Sequence, residues 1–283
     1  MQNLAIKFYA DDHRYVSAEG TEPIDWISVT RLIHHFKEPF DEIAMSIACS
    51  KGKNPKYVGK TPEEIRAIWK GENTRAVTLG SWYHDQREKD TLGCNTITRR
   101  GIDLTIINPL MDGNVKIAPP QQLIEGIHPE HLIYLMSVGI CGQADRVEVV
   151  SDVIDLYDYK TNKKIETEGF KNARTGKTKK MLGPLSHLDD CNFNDYALQL
   201  STYMYMMLKH NYNLEPGLMR IDHVEFELAG LDKHGYPIAK LDKEGNAMVK
   251  SITPYNIPYL EKEVIAMFKY VQLNRQKILG NGH

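Results

Sequence analysis

Hydrophobic and polar positions follow two rhythms along the chain. Near the N-terminus the period is two, and residues 5–9 and 14–17 read as short strands. The period then lengthens. Val29, Leu32, Ile33 and Phe36 share a helical face, with Ser28 or Thr30 as the cap, and Asp41 can cap a second helix through Ile43, Ala44 and Ile47. Thr61-Pro62-Glu63-Glu64 is a strong helix start, because Thr caps, Pro suits the first helical position and Glu64 closes a capping box. Helical spacing continues to about Lys89, with a break expected near Gly71-Glu72-Asn73.

Residues 93–130 are poorly periodic, carry Pro109, Pro119 and Pro120, and read as strands and loops. The β rhythm dominates 131–138, 140–150 and 153–161. After a loop-like stretch, 194–210 is a helix carrying Leu198, Leu200, Tyr203, Met206 and Met207. Residues 219–228 form a strand. Residues 229–250 read as a polar hairpin turning at Asp232-Lys233-His234-Gly235 and Asp242-Lys243-Glu244-Gly245, and 258–278 as a final helix. A helix lying between the strands at 153–161 and 219–228 suits a parallel pair. The class is α/β. With no repeat, low-complexity tract or linker, a single elaborated domain over 1–283 is expected, with a core at about 61–230. Residues 1–60 are then a strand-and-helix extension, and 229–283 a C-terminal hairpin and helix.

Composition narrows the class. The chain has 283 residues, 42% hydrophobic and 25% charged, which excludes disorder, collagen and coiled coil as the main architecture. No apolar run approaches the roughly 20 residues of a membrane helix. The start, Met1 to Lys7, lacks a basic region followed by an apolar stretch, so no signal peptide and a cytoplasmic location are expected. Cys49, Cys94, Cys141 and Cys191 have no metal-ligand spacing and read as reduced thiols.

Lys plus Arg is 35 and Asp plus Glu is 37, a net charge of −2, so any polyanion site must be local. One segment has a local excess. Residues 160–180 carry Lys160, Lys163, Lys164, Lys171, Arg174, Lys177, Lys179 and Lys180 against Glu166 and Glu168. It is either a solvated loop or a polyanion contact.

The most informative stretch runs from Ile140 to Thr161. Folded as a hairpin turning at Ser151-Asp152, it sets Asp145 directly opposite Asp158, with Cβ atoms roughly 4.5–5.5 Å apart. Two like charges so placed call for a cation between them, or for one protonated carboxyl. Period-two geometry adds Lys160 to the face of Asp158. Two carboxylates holding Mg²⁺ with an ammonium alongside can hydrolyse a phosphodiester. Lys160 would orient water or stabilise the transition state. An exposed strand face could also carry Asp-x-Lys with no function, and Glu148, Asp152 and Asp155 lie close enough to compete for the assignment.

Three further pieces join this pair. Gly80, His84 and Glu88 share one helix face, Gly142-Gln143-Ala144-Asp145 precedes Asp158-Tyr159-Lys160-Thr161, and Gln199 and Tyr203 form Gln-x-x-x-Tyr on the next helix. Their order and spacing over about 75–210 resemble the PD-(D/E)XK nuclease superfamily, in its RecB-like exonuclease branch, and the chain looks like a phage or mobile-element version. The resemblance implies a restriction-endonuclease-like mixed sheet flanked by helices, with an αβββαβ core. It implies that His84, Asp145, Asp158 and the backbone carbonyl of Tyr159 hold Mg²⁺, with Mn²⁺ able to substitute, and that Lys160 is the catalytic lysine. Gln199 and Tyr203 would brace the site and the DNA backbone, and Glu88 would support the ligands or be a plain exposed acid.

Some relatives carry an iron–sulfur cluster held by one early and three clustered late cysteines. No cysteine follows Cys191, so none is expected here. Nor is there a Gly-x-x-x-x-Gly-Lys-Ser/Thr motif, so any helicase or recombination partner would be a separate protein. Lys163, Lys164, Lys177, Lys179 and Lys180 become candidate DNA contacts. The implied activity is a metal-dependent DNA nuclease, an exonuclease in recombination, repair or phage DNA processing. The rivals are an endonuclease with the same site, an inactive nuclease-fold DNA-binding module, and an unrelated α/β protein with chance motifs.

Overall fold

The computed structural model describes residues 6–21, 23–173 and 175–280; Ala5 of the first expected strand and Arg174 of the basic segment lie outside them. The chain begins with β1 (Ile6–Tyr9), β2 (Arg14–Ser17), β3 (Ile27–Ser28), α1 (Val29–His35), α2 (Glu42–Ser50) and α3 (Pro62–Leu92). Short strands β4 (Thr96–Arg99), β5 (Ile102–Thr105), β6 (Leu110–Asp112) and β7 (Val115–Ile117) follow. Then come β8 (Gly126–Leu135), β9 (Ile140–Val150), β10 (Val153–Lys160), α4 (Asn192–His210) and β11 (Glu215–Phe226). The chain closes with β12 (Leu228–Leu231), β13 (Pro237–Ala239), β14 (Val249–Asn256) and α5 (Glu261–Gly280).

The class is mixed α/β. The main sheet runs β14-β11-β10-β9, with β8 on the other edge of β9, and the pair β10–β11 is parallel across the α4 connection. Each face has its own cover. Ile154, Leu156, Met219 and Ile221 bury against α1, α4 and α5 in the largest core. Tyr159, Val224 and Phe226 bury against Leu79, Trp82 and Tyr83 of α3. A small antiparallel sheet, β2-β1-β7-β6, packs Ile6, Phe8 and Ala118 onto Leu132 and Cys141 of β8 and β9.

Local chemistry explains most boundaries. The Ser28 side chain accepts the N–H of Arg31 at the start of α1, and Asp41 accepts that of Ala44 at α2. At α3 both bonds of the Thr61/Glu64 capping box are present. Two expectations need correction. The break near Gly71 is absent, and α3 is continuous through it; a helical glycine costs only about 1 kcal/mol relative to Ala, which the cap and the packing of α3 under α2 offset. The stretch expected as one polar hairpin supplies β12 and β13, but its last residues begin β14, which pairs with β11 from Arg220↔Asn256 to Phe226↔Val249. The basic segment is irregular, as expected, and the four cysteines are free thiols. Among the described residues no helix is long and apolar enough to cross a membrane.

Candidate active site

The β9–β10 hairpin turns at Ser151 and Asp152, both at positive φ (48° and 64°), and its register runs from Val153↔Val150 to Tyr157↔Arg146. The ladder stops there, one pair short of Asp158 and Asp145. On the same edge of β9 the next partner is β3, at Ile140 and Cys141. Residues 142–145 therefore face a split in the sheet. A Cβ on Gly142 would stand 2.5 Å from Cε1 of Tyr203, so the glycine is needed for close approach of that α4 ring. Tyr203 acts as the wedge, and Gln199 Nε2 donates to its hydroxyl (3.2 Å). Across the split, the Tyr159 N–H donates to Asp145 Oδ2 (2.8 Å) in place of a ladder bond.

Ligating groups converge at this split. His84 Nδ1, one turn beyond Gly80 on α3, lies 3.1 Å from Asp145 Oδ2. A carboxylate oxygen of Glu130 completes a group whose ligand atoms all lie within 4.8 Å of one another. Glu130 sits opposite Asp145 in the β8–β9 register, between Pro129↔Arg146 and His131↔Ala144, with a left-handed φ of 48°. Along β9 the core-facing residues are Ile140 and Ala144 before this point and Val147 and Val149 after it, so the alternation slips by one beside Asp145.

Asp158 is 2% exposed and does not join that group; its Oδ2 lies 2.6 Å from Lys160 Nζ. That oxygen is buried with no partner in hydrogen-bond geometry among the described residues, and so is Gln143 Oε1, whose Nε2 donates to Glu130. A cleft of about 720 Å³ opens onto these groups, walled by α3 on one flank and by Phe8, His13 and Tyr15 of the β1–β2 hairpin on another.

The electrostatics are those of crowded, partly desolvated acids. Burial pushes the Asp158 carboxyl up, Lys160 pulls it back and Asp145 adds repulsion, leaving it at about 6. Burial, with repulsion from Asp145, pushes Glu130 up to about 8. Burial opposes the charged form of Asp145, but the His84 charge and hydrogen bond, Lys160 and the Tyr159 N–H outweigh it and hold the group below its ordinary value. His84 rises to about 9, because the Asp145 charge and hydrogen bond exceed the opposing effect of burial. Lys160 is raised too, against burial, by Asp158 and Asp145, and so stays an ammonium.

The competing acids have another fate. Glu148 and Asp155 also face each other across the hairpin, and both are buried. Arg99 Nε lies 3.0 and 3.1 Å from the Glu148 oxygens, Arg146 also reaches it, and Arg100 lies 2.6 Å from Asp155. Asp155 further accepts the Leu218 N–H (2.7 Å). This pair is neutralised by arginines of the β4–β5 turn, whereas no arginine reaches Asp145 or Asp158 among the described residues. Asp152 belongs to the turn.

His84, Asp145, Asp158, Tyr159, Lys160, Gln199, Tyr203 and Glu88 thus all line one cleft. Glu88 is not a plain exposed acid, since it pairs with Lys116 of β7 (3.1 Å), which also reaches Glu130 (3.5 Å). Lys160 Nζ lies 4.9 Å from the Tyr196 ring centre. The sequence reading missed Glu130, Gln143 and Lys116. Applying the hairpin test to the β8–β9 turn, as to β9–β10, would have paired Glu130 with Asp145. The expected strand began one residue too late to include it. Of the candidate DNA contacts, Lys163, Lys164, Lys179 and Lys180 each pair with an acid, and Lys177 pairs with none among the described residues. The chain matches no model of a known protein family, and comparison with curated proteins finds no significant relative.

Proposed function

We propose that this chain is a divalent-metal-dependent deoxyribonuclease of the PD-(D/E)XK type, built on a restriction-endonuclease-like core. The observation that carries the reading is the acid pair Asp145/Asp158. It lies at a split in the sheet, Asp158 buried and Asp145 half-buried, with a lysine and an imidazole beside it, and it lacks the arginines that neutralise the neighbouring pair. The order α3, β8, β9, β10, α4, β11 supports the same core.

The donor set suits a hard cation. Asp145, Asp158, Glu130 and the Tyr159 carbonyl offer oxygen, His84 widens the choice towards Mn²⁺, and the unpartnered Gln143 Oε1 leaves room for a ligand or its water, while Asp158 Oδ2 has only Lys160 beside it. When bound, such a cation would polarise the scissile phosphate and lower the pKa of the attacking water. The remaining work falls to the chain. Lys160, held as an ammonium, positions water and meets charge developing on the phosphate oxygens. Asp145 fixes His84 and the Tyr159 backbone together. Tyr203, braced by Gln199, keeps the strands apart so that both carboxylates face the cleft. The β1–β2 wall favours a strand end over the middle of a duplex, and therefore an exonuclease, in DNA recombination, repair or phage DNA processing.

The test is linear, end-labelled DNA with Mg²⁺ and wild type, Asp158→Ala or Lys160→Ala. Each variant should lose roughly 100-fold or more in rate. Closed circular DNA should survive; cutting it would make the protein an endonuclease. Equal cutting by all three proteins would overturn the assignment, and an inert wild type across metals and substrates would leave a binding module.

A further inference from the structure

The lysines of the 160–180 segment are largely answered where they stand. Lys163 pairs with Glu72 (3.0 Å), Lys164 with Glu166 (2.7 Å), Lys179 with Asp190 (2.8 Å) and Lys180 with Asp189. A phosphate approaching any of them also meets a carboxylate, so little attraction survives beyond a Debye length of about 8–10 Å. Lys171 and Lys177 have no acid partner among the described residues.

The loop between α2 and α3 is the opposite case. It reads Lys51-Gly52-Lys53-Asn54-Pro55-Lys56-Tyr57-Val58-Gly59-Lys60, with four lysines and no acid. None of these lysines pairs with a carboxylate among the described residues, and Lys51 and Lys53 are exposed. The loop is anchored: the Tyr57 hydroxyl accepts the Trp69 Nε1–H (2.9 Å), and Lys56 Nζ sits 4.3 Å from the centre of the Tyr236 ring. Lys163 Nζ sits 4.6 Å from the same centre. The two ammoniums therefore lie within about 9 Å of each other, and Glu72 answers only one.

Lys163 also links this loop to the active site. It lines a second groove of about 730 Å³, which shares Thr161 and Asn162 with the active-site cleft, and whose other lysines, Lys240 and Lys250, are answered by Glu227 and Glu225. On α3, Glu72 lies about 18 Å from His84 at 1.5 Å per residue. At about 3.4 Å per nucleotide of a stacked strand, that is roughly five nucleotides.

We propose that the 51–60 loop is a remote phosphate grip. A nucleic-acid strand whose end lies in the cleft runs past Lys163 and is held by Lys51, Lys53, Lys56 and Lys60, about five nucleotides or more from the cut. This rests on the deoxyribonuclease reading and adds a second point of hold to it.

The test measures binding without cleavage: fluorescence anisotropy of labelled single-stranded 6-mers and 20-mers in EDTA across a salt series. The full-length Lys51→Gln/Lys53→Gln/Lys60→Gln protein is set against Lys177→Gln/Lys179→Gln/Lys180→Gln. Three lost phosphate contacts should flatten the salt slope for the 20-mer by about 2 and weaken binding roughly 100-fold at 0.1 M salt. The 6-mer, whose far end only just reaches the loop, should lose much less than the 20-mer, and the second variant should stay near wild type with both. If the 51–60 variant binds the 20-mer with wild-type slope and affinity while the wild type still cuts DNA, the grip is wrong and the nuclease reading stands. A greater loss in the 177–180 variant moves the grip to that loop and overturns the proposal. A wild type that neither binds nor cuts DNA removes both.

Discussion

Substituting Gly142 by alanine tests whether the Tyr203 ring holds the sheet open at the site. The added Cβ would stand 2.5 Å from Cε1 and 3.0 Å from the hydroxyl oxygen of Tyr203, against an ordinary contact of about 3.4–4 Å, so the ring must withdraw by about 1 Å. It cannot withdraw freely, because Tyr203 is 3% exposed and packed in the core with Leu200, Met204 and Met207. Overpacking of this kind costs about 1–3 kcal/mol, and loss of the Gln199–Tyr203 hydrogen bond adds roughly 0.5–1.5 kcal/mol. A combined loss of about 2–4 kcal/mol should lower Tm by roughly 4–10 °C. A 1 Å shift of the wedge also moves Asp145 against Asp158, and misplacements of that size cost on the order of 100-fold in rate. Gly71→Ala is the control, since nothing lies within 4 Å of its added Cβ and its backbone is helical. It should gain about 0.5–1 kcal/mol. Thermal unfolding by circular dichroism reads both variants, and DNA cleavage reads the site. A Gly142→Ala protein with the wild-type Tm and rate would show that the ring does not hold the split.

Two predictions concern the ionised groups. His84, Glu130 and Asp158 all have folded pKa values raised above their unfolded ones, to about 9, 8 and 6. Each then contributes stability that is complete below its unfolded value and lost as pH rises through its folded value. Asp145, held low, acts in the opposite sense only at acid pH. The metal-free protein should therefore lose Tm steadily between about pH 5 and pH 9, and Mg²⁺ or Mn²⁺ should restore it most at the alkaline end. A flat profile in EDTA would contradict the crowding of these groups. Glu130→Gln should weaken Mn²⁺ binding by roughly tenfold or more, read by calorimetry without DNA. Unchanged affinity would remove Glu130 from the ligand set.

Much of the scaffold could be read from local chemistry. Ser28, Asp41 and Thr61 cap the helices expected of them, and the hairpin register predicted at Ser151-Asp152 is the observed one through Tyr157↔Arg146. These features depend on neighbours within a turn or a hairpin. The failures share the opposite property. The β14 strand exists because its residues pair with β11 more than twenty positions upstream, and its burial pattern is mostly exposed, so alternation gave no signal. Glu130 escaped because its left-handed backbone and the slip beside Asp145 break the period-two rule at the one place where it mattered.

The two acid pairs of the β9–β10 hairpin show where local reading ends. Asp145/Asp158 and Glu148/Asp155 are alike in chemistry and in opposition, and nothing in the sequence of the hairpin ranks them. What separates them is brought by distant chain. Arg99 and Arg100, from a turn about fifty residues upstream, neutralise the pair nearer the hairpin turn. His84 from α3 and the Tyr203 wedge from α4 meet the other, where the ladder has already parted. An uncompensated buried charge pair is costly, and a fold retains one only where something offsets the cost. For Glu148/Asp155 the arginines offset it within the chain. For Asp145/Asp158 the protein supplies Lys160 and the His84 imidazole, and Lys116 is shared between Glu130 and Glu88, so three cationic groups face four carboxylates lining one cleft. The deficit of positive charge at the mouth of an open cleft is therefore the physical argument for a bound cation, and it stands independently of any motif.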